Sequence, residues 1–175
     1  MGRSGFWIRL AATAIDGIVL LIFVATISVT VDVLEQRGTL TEAKHRVFMA
    51  MPYALWLAYS GLEVLVSATP GKMATGIVIA LPDGAPAPLW TLVLRWSTKQ
   101  FGVGMLMLFE LTGQPLFYVI GGMVNFMLII GVLRVLGEEK LAWHDLWSHT
   151  AVVPRKVAVQ MRNVQEDPQG APPPT

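Results

Sequence analysis

The hydrophobic positions of this chain run in long blocks, not in the short alternation of half-buried strands. Leu10 to Val31 contains a single ionisable residue, Asp16. Val47 to Ala68 contains only Glu63, and Leu116 to Leu133 contains none, Asn125 being its one strongly polar position. At about 1.5 Å rise per residue, blocks of this length can cross a hydrocarbon core of about 30 Å as helices. Leu89 to Leu111 is comparably long but carries Arg95, Lys99 and Glu110. Between the second and third blocks, Ser67-Ala-Thr-Pro-Gly-Lys72 stops a helix. Gly76 to Leu81 is apolar but too short to cross, and Pro82-Asp83-Gly84 then makes a turn. This stretch is expected as a hairpin-like segment at the membrane surface.

The expected fold is an all-α membrane protein of four transmembrane helices, with spans at about 10–33, 47–67, 89–111 and 115–136, inside a domain covering residues 1–156. Pro115 sits in a first helical turn, where its missing N–H costs nothing. Loop charge argues for counting the third block. The end of the chain carries Arg134, Lys140, Arg155, Lys156 and Arg162, and the start carries Arg3 and Arg9. Four crossings put both basic ends in the cytoplasm, as the positive-inside rule favours, whereas three would place the C-terminal bases outside. Trp7, Trp90, Trp96, Trp143 and Trp147 then fall near the cytoplasmic interface, where belt aromatics anchor. Glu138 to Ser148 reads as a short interfacial helix. Thr150-Ala-Val-Val153 reads as a short strand able to pair with 76–81 on the cytoplasmic side. Residues 157–175 read as a polar, Pro-rich, disordered tail.

Composition agrees with a bilayer protein. Hydrophobic residues make up 54% of the 175 and charged residues only 14%, against about 25% charged in soluble chains. A balance of 13 Lys+Arg against 12 Asp+Glu gives no basic excess for nucleic acid. The chain has no cysteine, which removes disulfides, thiol nucleophiles and cysteine-based metal sites. A cleaved signal peptide is not expected, because the first block is too long and contains Asp16.

The charges inside the apolar blocks are the candidate chemistry, since intramembrane ionisable groups are costly. Depth allows Asp16, Glu63, Arg95 and Lys99 to meet in one cytoplasmic-side layer. Arg9 lies seven residues, two helical turns, before Asp16. Arg95 and Lys99 share a face, repel one another, and need acidic partners, for which Asp16 and Glu63 are available. With Arg9 and Glu110 the set sums to zero, which a bilayer tolerates. Such a cluster is either a fixed structural network or an ion and proton site whose carboxylates are tuned by the neighbouring bases.

Other groupings carry less. His144, Asp145 and His149 do not converge as a metal site needs, so no metal and no cofactor is expected; capping and pairing with Arg134 or Lys140 is the plainer reading. Gly71-Lys72 lacks the upstream glycine and the following Ser/Thr of a phosphate loop. No serine has a His/Asp arrangement for nucleophilic catalysis, so an enzyme is not expected. Asn125 reads as an interhelical hydrogen-bonder.

Taken together these residues resemble the RDD family of bacterial membrane proteins, named for an arginine and two aspartates. The resemblance rests on Gly5-Phe6-Trp7-Ile8-Arg9-Leu10 followed by Ala12-Thr-Ala-Ile15-Asp16. It continues through Glu63, Thr69-Pro70-Gly71-Lys72, Gly76-Ile-Val-Ile, Asp83-Gly84 and Arg95, and closes on His144-Asp145 and Thr150-Ala-Val-Val153. The name-giving residues map to Arg9, Asp16 and Asp145. Met73 stands where a second basic residue is common. The resemblance implies a multi-span protein of the bacterial inner membrane, with Pro70, Gly71, Lys72, His144 and Asp145 on its cytoplasmic face. It also implies two directions for function. Some relatives are associated with Na⁺(Li⁺,K⁺)/H⁺ antiport, and others look like accessory membrane partners. The partners expected on this reading are the lipid bilayer, a homo-oligomer or a membrane-complex companion, and monovalent cations with protons.

Overall fold

The computed structural model describes residues 3–166. Two long helices open it, α1 (Phe6–Gln36) and α2 (Glu42–Val66). A one-turn helix α3 (Pro70–Ala74) and a strand β1 (Ile77–Ala80) follow. Then come α4 (Leu89–Thr112) and α5 (Pro115–Leu133), the latter running into a 3-10 turn at Arg134–Leu136. A short helix α6 (Trp143–Trp147), a strand β2 (Ala151–Pro154) and a helix α7 (Arg155–Glu166) complete the described chain.

Among the described residues three helices are long and apolar enough to cross a membrane: Phe6–Gln36, Glu42–Val66 and Pro115–Leu136. The fourth expected segment, α4, forms as a helix of 24 residues but, carrying Arg95, Lys99 and Glu110, is not among them. The burial pattern is the inverse of a water-soluble bundle. In α1 the buried positions are Ala12, Asp16, Ile27 and Val31, while Ile18, Leu21, Ile22 and Val29 are exposed. Apolar side chains outside and a carboxylate inside suit a helix solvated by lipid.

Helix α2 packs chiefly on α4, and α4 on α5. Small residues let the backbones approach, as membrane-type packing requires. A Cβ on Gly121 would meet the carbonyl oxygen of Gly102 at 2.9 Å, and one on Gly102 would meet the Asn125 amide at 2.8 Å. Asn125 does not bond across to a neighbouring helix as expected. Its Nδ2 donates to the Gly121 carbonyl one turn back at 2.9 Å, because Gly102 leaves room for the amide to lie against its own helix.

At one end of the bundle sits a small cap. β1 and β2 pair antiparallel, with Ile77 opposite Pro154 and Ala80 opposite Ala151. The expected pairing of 76–81 with 150–153 therefore forms. The turn at 82–84 brings Pro86 back to bridge Ala80, so the hairpin-like stretch finds its main partner far along the chain. The expected helix at 138–148 is shorter, Trp143–Trp147. Gly137 and a left-handed Lys140 (φ 51°) interrupt the preceding turns. His149 also has a left-handed backbone (φ 50°) and lies beyond the helix, not on a shared face with Asp145. The tail expected to be disordered from residue 157 is instead helical through Glu166, because Ala158 packs on the cap cluster of Ala80, Leu141, Ala151 and Val153. The remainder of that expectation, 167–175, lies outside the described residues.

Candidate functional site

The loop between α2 and β1 is built around one carboxylate. Asp16, buried on α1, accepts from Tyr59 Oη at 2.7 Å, Thr69 Oγ1 at 2.5 Å and the Gly71 backbone N–H at 2.8 Å. Thr69 in turn caps α3 by accepting from the Lys72 backbone N–H at 3.4 Å, and Pro70 occupies the first turn. Glycine at 71 is a matter of space. A Cβ there would lie 2.2 Å from the Ala12 carbonyl oxygen and 2.7 Å from Asp16 Oδ1. The Thr-Pro-Gly sequence thus folds α3 directly onto α1, with the carboxylate as its anchor.

Lys72, the last residue of that motif, reaches a second carboxylate. Its Nζ donates to Glu63 Oε2 at 2.5 Å, and Lys99 Nζ donates to the same oxygen at 2.7 Å. Arg95 Nη1 holds Glu63 Oε1. Three bases from α3 and α4 therefore converge on one fully buried glutamate of α2.

Arg95 spans from Glu63 to a third carboxylate. Its Nε and Nη2 donate to Asp145 Oδ1 at 3.1 and 2.8 Å. Asp145 Oδ2 accepts from Arg9 Nη1 at 2.7 Å and from the Ala142 backbone N–H at 3.2 Å. Arg9 also donates to the carbonyl oxygens of Ser4 and Lys140 at 3.2 and 2.9 Å. Glu63, Arg95 and Asp145 are at most 2% exposed. Buried charges of this kind persist only when paired and hydrogen-bonded on every side.

Outside the long helices, burial pushes the Lys72 ammonium down to about 7, against the upward pull of Glu63. Burial, reinforced by Arg95, takes the His144 imidazole down to about 3, so it is neutral at ordinary pH. Burial alone would raise Asp145, but Arg95 and then His144 and Arg9 outweigh it and hold the carboxyl well below its usual range.

Of the four residues expected to meet in one layer, Glu63, Arg95 and Lys99 come together, and Arg95 links them through Asp145 to Arg9. Asp16 is close by but, among the described residues, makes no ion pair; its oxygens are taken by neutral donors. The acidic partner of Arg9 and Arg95 is Asp145, which residue reading assigned to interfacial capping and pairing with Arg134 or Lys140; Arg134 instead pairs with Glu139 at 3.0 Å. Glu110, expected in the neutral sum, stands apart, and Lys72 takes a place that the sum omitted. The signal that could have found Lys72 was a base on a sharp turn nine residues after an intramembrane glutamate. Among the described residues no group of three or more His, Asp or Glu is placed to hold a metal.

A cavity of about 470 Å³ opens beside the network. Arg9, Lys72, Arg95 and Lys99 line one side, with Asp16, Gln100 and His144; Leu128, Ile129, Val132 and Val135 line the other. Glu63 and Asp145 do not line it, being sealed behind the bases.

A family model described as the RDD family matches residues 3–149 of the chain. That interval contains every member of the charged network described above. The comparisons with curated proteins and with solved structures found no match.

Proposed function

The chain belongs to the RDD family, and from that premise we propose that it is a four-span protein of the bacterial inner membrane, with both termini cytoplasmic. In this reading α4 is the third crossing, its bases neutralised by Glu63 and Asp145, and the β1–β2 cap lies in the cytoplasm beneath the bundle. We propose further that the protein acts as a non-transporting scaffold or accessory subunit, offering the cap as a docking face to a membrane-complex companion. The observation that carries this is the saturation of the buried acids. Glu63 and Asp145 are each held by two or more bases and have no exposed surface. A monovalent cation arriving at either would have to displace an arginine or lysine in a low-dielectric site. The network fastens α1, α2, α3, α4 and α6 together, which is work for a rigid platform.

The test is gentle purification from native membranes. The scaffold reading expects a stoichiometric companion and no cation-dependent proton flux from the purified chain in vesicles. A lone homo-oligomer with measurable flux would sink it.

Monovalent cation/proton exchange is the second reading, favoured by Asp16. Of the acidic side chains in the network region, it is the one that faces the cavity. Exchange through it requires that vesicles containing the protein dissipate a proton gradient on addition of Na⁺, Li⁺ or K⁺. It also requires that Asp16→Asn abolish the response in folded protein.

A further inference from the structure

The cavity beside the network has two unlike walls, and its polar wall is cationic. Four bases line it, while two of the three carboxylates that balance them are hidden behind. The third, Asp16, has both oxygens engaged by Tyr59, Thr69 and Gly71. Donor capacity remains on the bases. Among the described residues Lys72 Nζ and Lys99 Nζ each make one hydrogen bond, to Glu63, although an ammonium carries three N–H groups. Gln100 accepts from Trp56 at 3.1 Å, which leaves its amide nitrogen as a further donor on the same wall. The opposite wall is Leu128, Ile129, Val132 and Val135. Ile129 and Val132 are also exposed residues of α5, a helix apolar enough to cross a membrane, so lipid can reach this side of the cavity.

A soluble inorganic anion would use the first wall and leave the second empty. A molecule with a phosphate at one end and hydrocarbon at the other uses both. Basic pockets between membrane helices on the cytoplasmic side have this chemistry. We propose that the cavity binds an anionic phospholipid, its phosphate among Lys72, Lys99 and Gln100 and its acyl chain along Ile129 and Val132. The assignment rests on the placement of the network at the cytoplasmic side of the bilayer, as in the proposed function.

The experiment uses the full chain in detergent, stripped of lipid and offered phosphatidylglycerol or phosphatidylcholine of equal acyl length, with retained lipid counted on the intact complex by mass spectrometry. Inorganic phosphate is run in parallel. Phosphatidylglycerol is expected to be retained in preference. Lys72→Gln combined with Lys99→Gln should weaken it roughly thirtyfold, from loss of two near-surface cations. Lys156→Gln, an exposed base on α7, should leave it unchanged. Val132→Trp keeps every charge in place and narrows the apolar wall. It should weaken the lipid and leave phosphate unaffected, and it remains informative if the lysine variant fails to fold. Equal retention of the two lipids would overturn the proposal. So would phosphate binding that needs the lysines while neither lipid responds to Val132→Trp. A chain with no companion that still selects phosphatidylglycerol would defeat the scaffold reading and leave this one standing.

Discussion

Arg95 of α4 donates twice to one oxygen of Asp145 of α6, at 3.1 and 2.8 Å, across 50 residues of sequence. The contact joins the membrane-length part of the fold to its cap, and it ends in a carboxylate with no exposed surface. Arg95→Leu would leave both Asp145 and Glu63 short of a partner. Loss of one member of a buried ion pair costs about 3–5 kcal/mol, so the variant is expected to melt far below the parent or to elute as aggregate. Arg95→Lys should fail nearly as badly, because an ammonium cannot supply three N–H groups in the plane that reaches both acids. Thermal unfolding followed by tryptophan fluorescence reads both.

Asp16→Asn tests the anchor of α3. The amide offers one acceptor oxygen where three donors now point, so at least one of Tyr59, Thr69 and Gly71 loses its partner. The expected cost is about 1–3 kcal/mol, with faster amide exchange concentrated at 69–76. Unchanged exchange there would mean that the carboxylate is not what holds the loop.

Gly71→Ala should destabilise by about 1–3 kcal/mol, since the new methyl would stand 2.2 Å from the Ala12 carbonyl oxygen and α3 must lift to admit it. Gly122→Ala is the matched control. A Cβ at Gly122 meets nothing within 4 Å, and the helix should accept it at no cost.

Stability should fall on acidification, with a sign that can be worked out. His144 is held near 3 when folded but titrates at about 6.5 in an unfolded chain. Between those values the unfolded state takes up a proton that the folded state refuses, so stability drops as pH falls, by roughly 1.4 kcal/mol per pH unit for that one group. Asp145, depressed by Arg95 and Arg9, acts in the same direction lower down. Its contribution is present above the unfolded carboxylate range and disappears as pH falls through the folded value. Replacing His144 with Asn should flatten the profile between about 6.5 and 3 while leaving the Asp145 limb.

The proposed topology can be mapped directly because the chain contains no cysteine. A single cysteine at Gln114, in the α4–α5 turn, should react with an impermeant thiol reagent added outside. One at Lys156 should react only after the membrane is opened. The reverse pattern, or labelling of both from one side, would rule out four crossings with internal termini.

The helices were legible because lipid imposes a crude rule, length and hydrophobicity, that a single sequence displays. The β1–β2 pairing was legible too, since two β-branched runs were too short to do anything else. The partner of Arg9 and Arg95 was not. Helical spacing finds neighbours within one element, but which acid completes the network depends on how α6 docks. That docking is set by Trp143 packing over Gly131, where a Cβ would approach the indole at 3.0 Å. Nothing local in Trp143-His-Asp announces it. Helix α7 was missed because its residues are polar on most sides, and what holds the segment is a tertiary contact through Ala158.

The order in which the network closes constrains how the protein can be made. Glu63 and Arg95 leave the ribosome well before Asp145, so on the four-crossing proposal α4 would enter the membrane with only part of its charge matched. The segment that completes the match also carries β2, the strand that locks onto β1. A nascent chain halted before residue 145 would hold a charged helix without one of its counter-ions and a strand edge without its neighbour. The ion network and the two-stranded sheet are thus finished by one short stretch, residues 145–154, and close together or not at all.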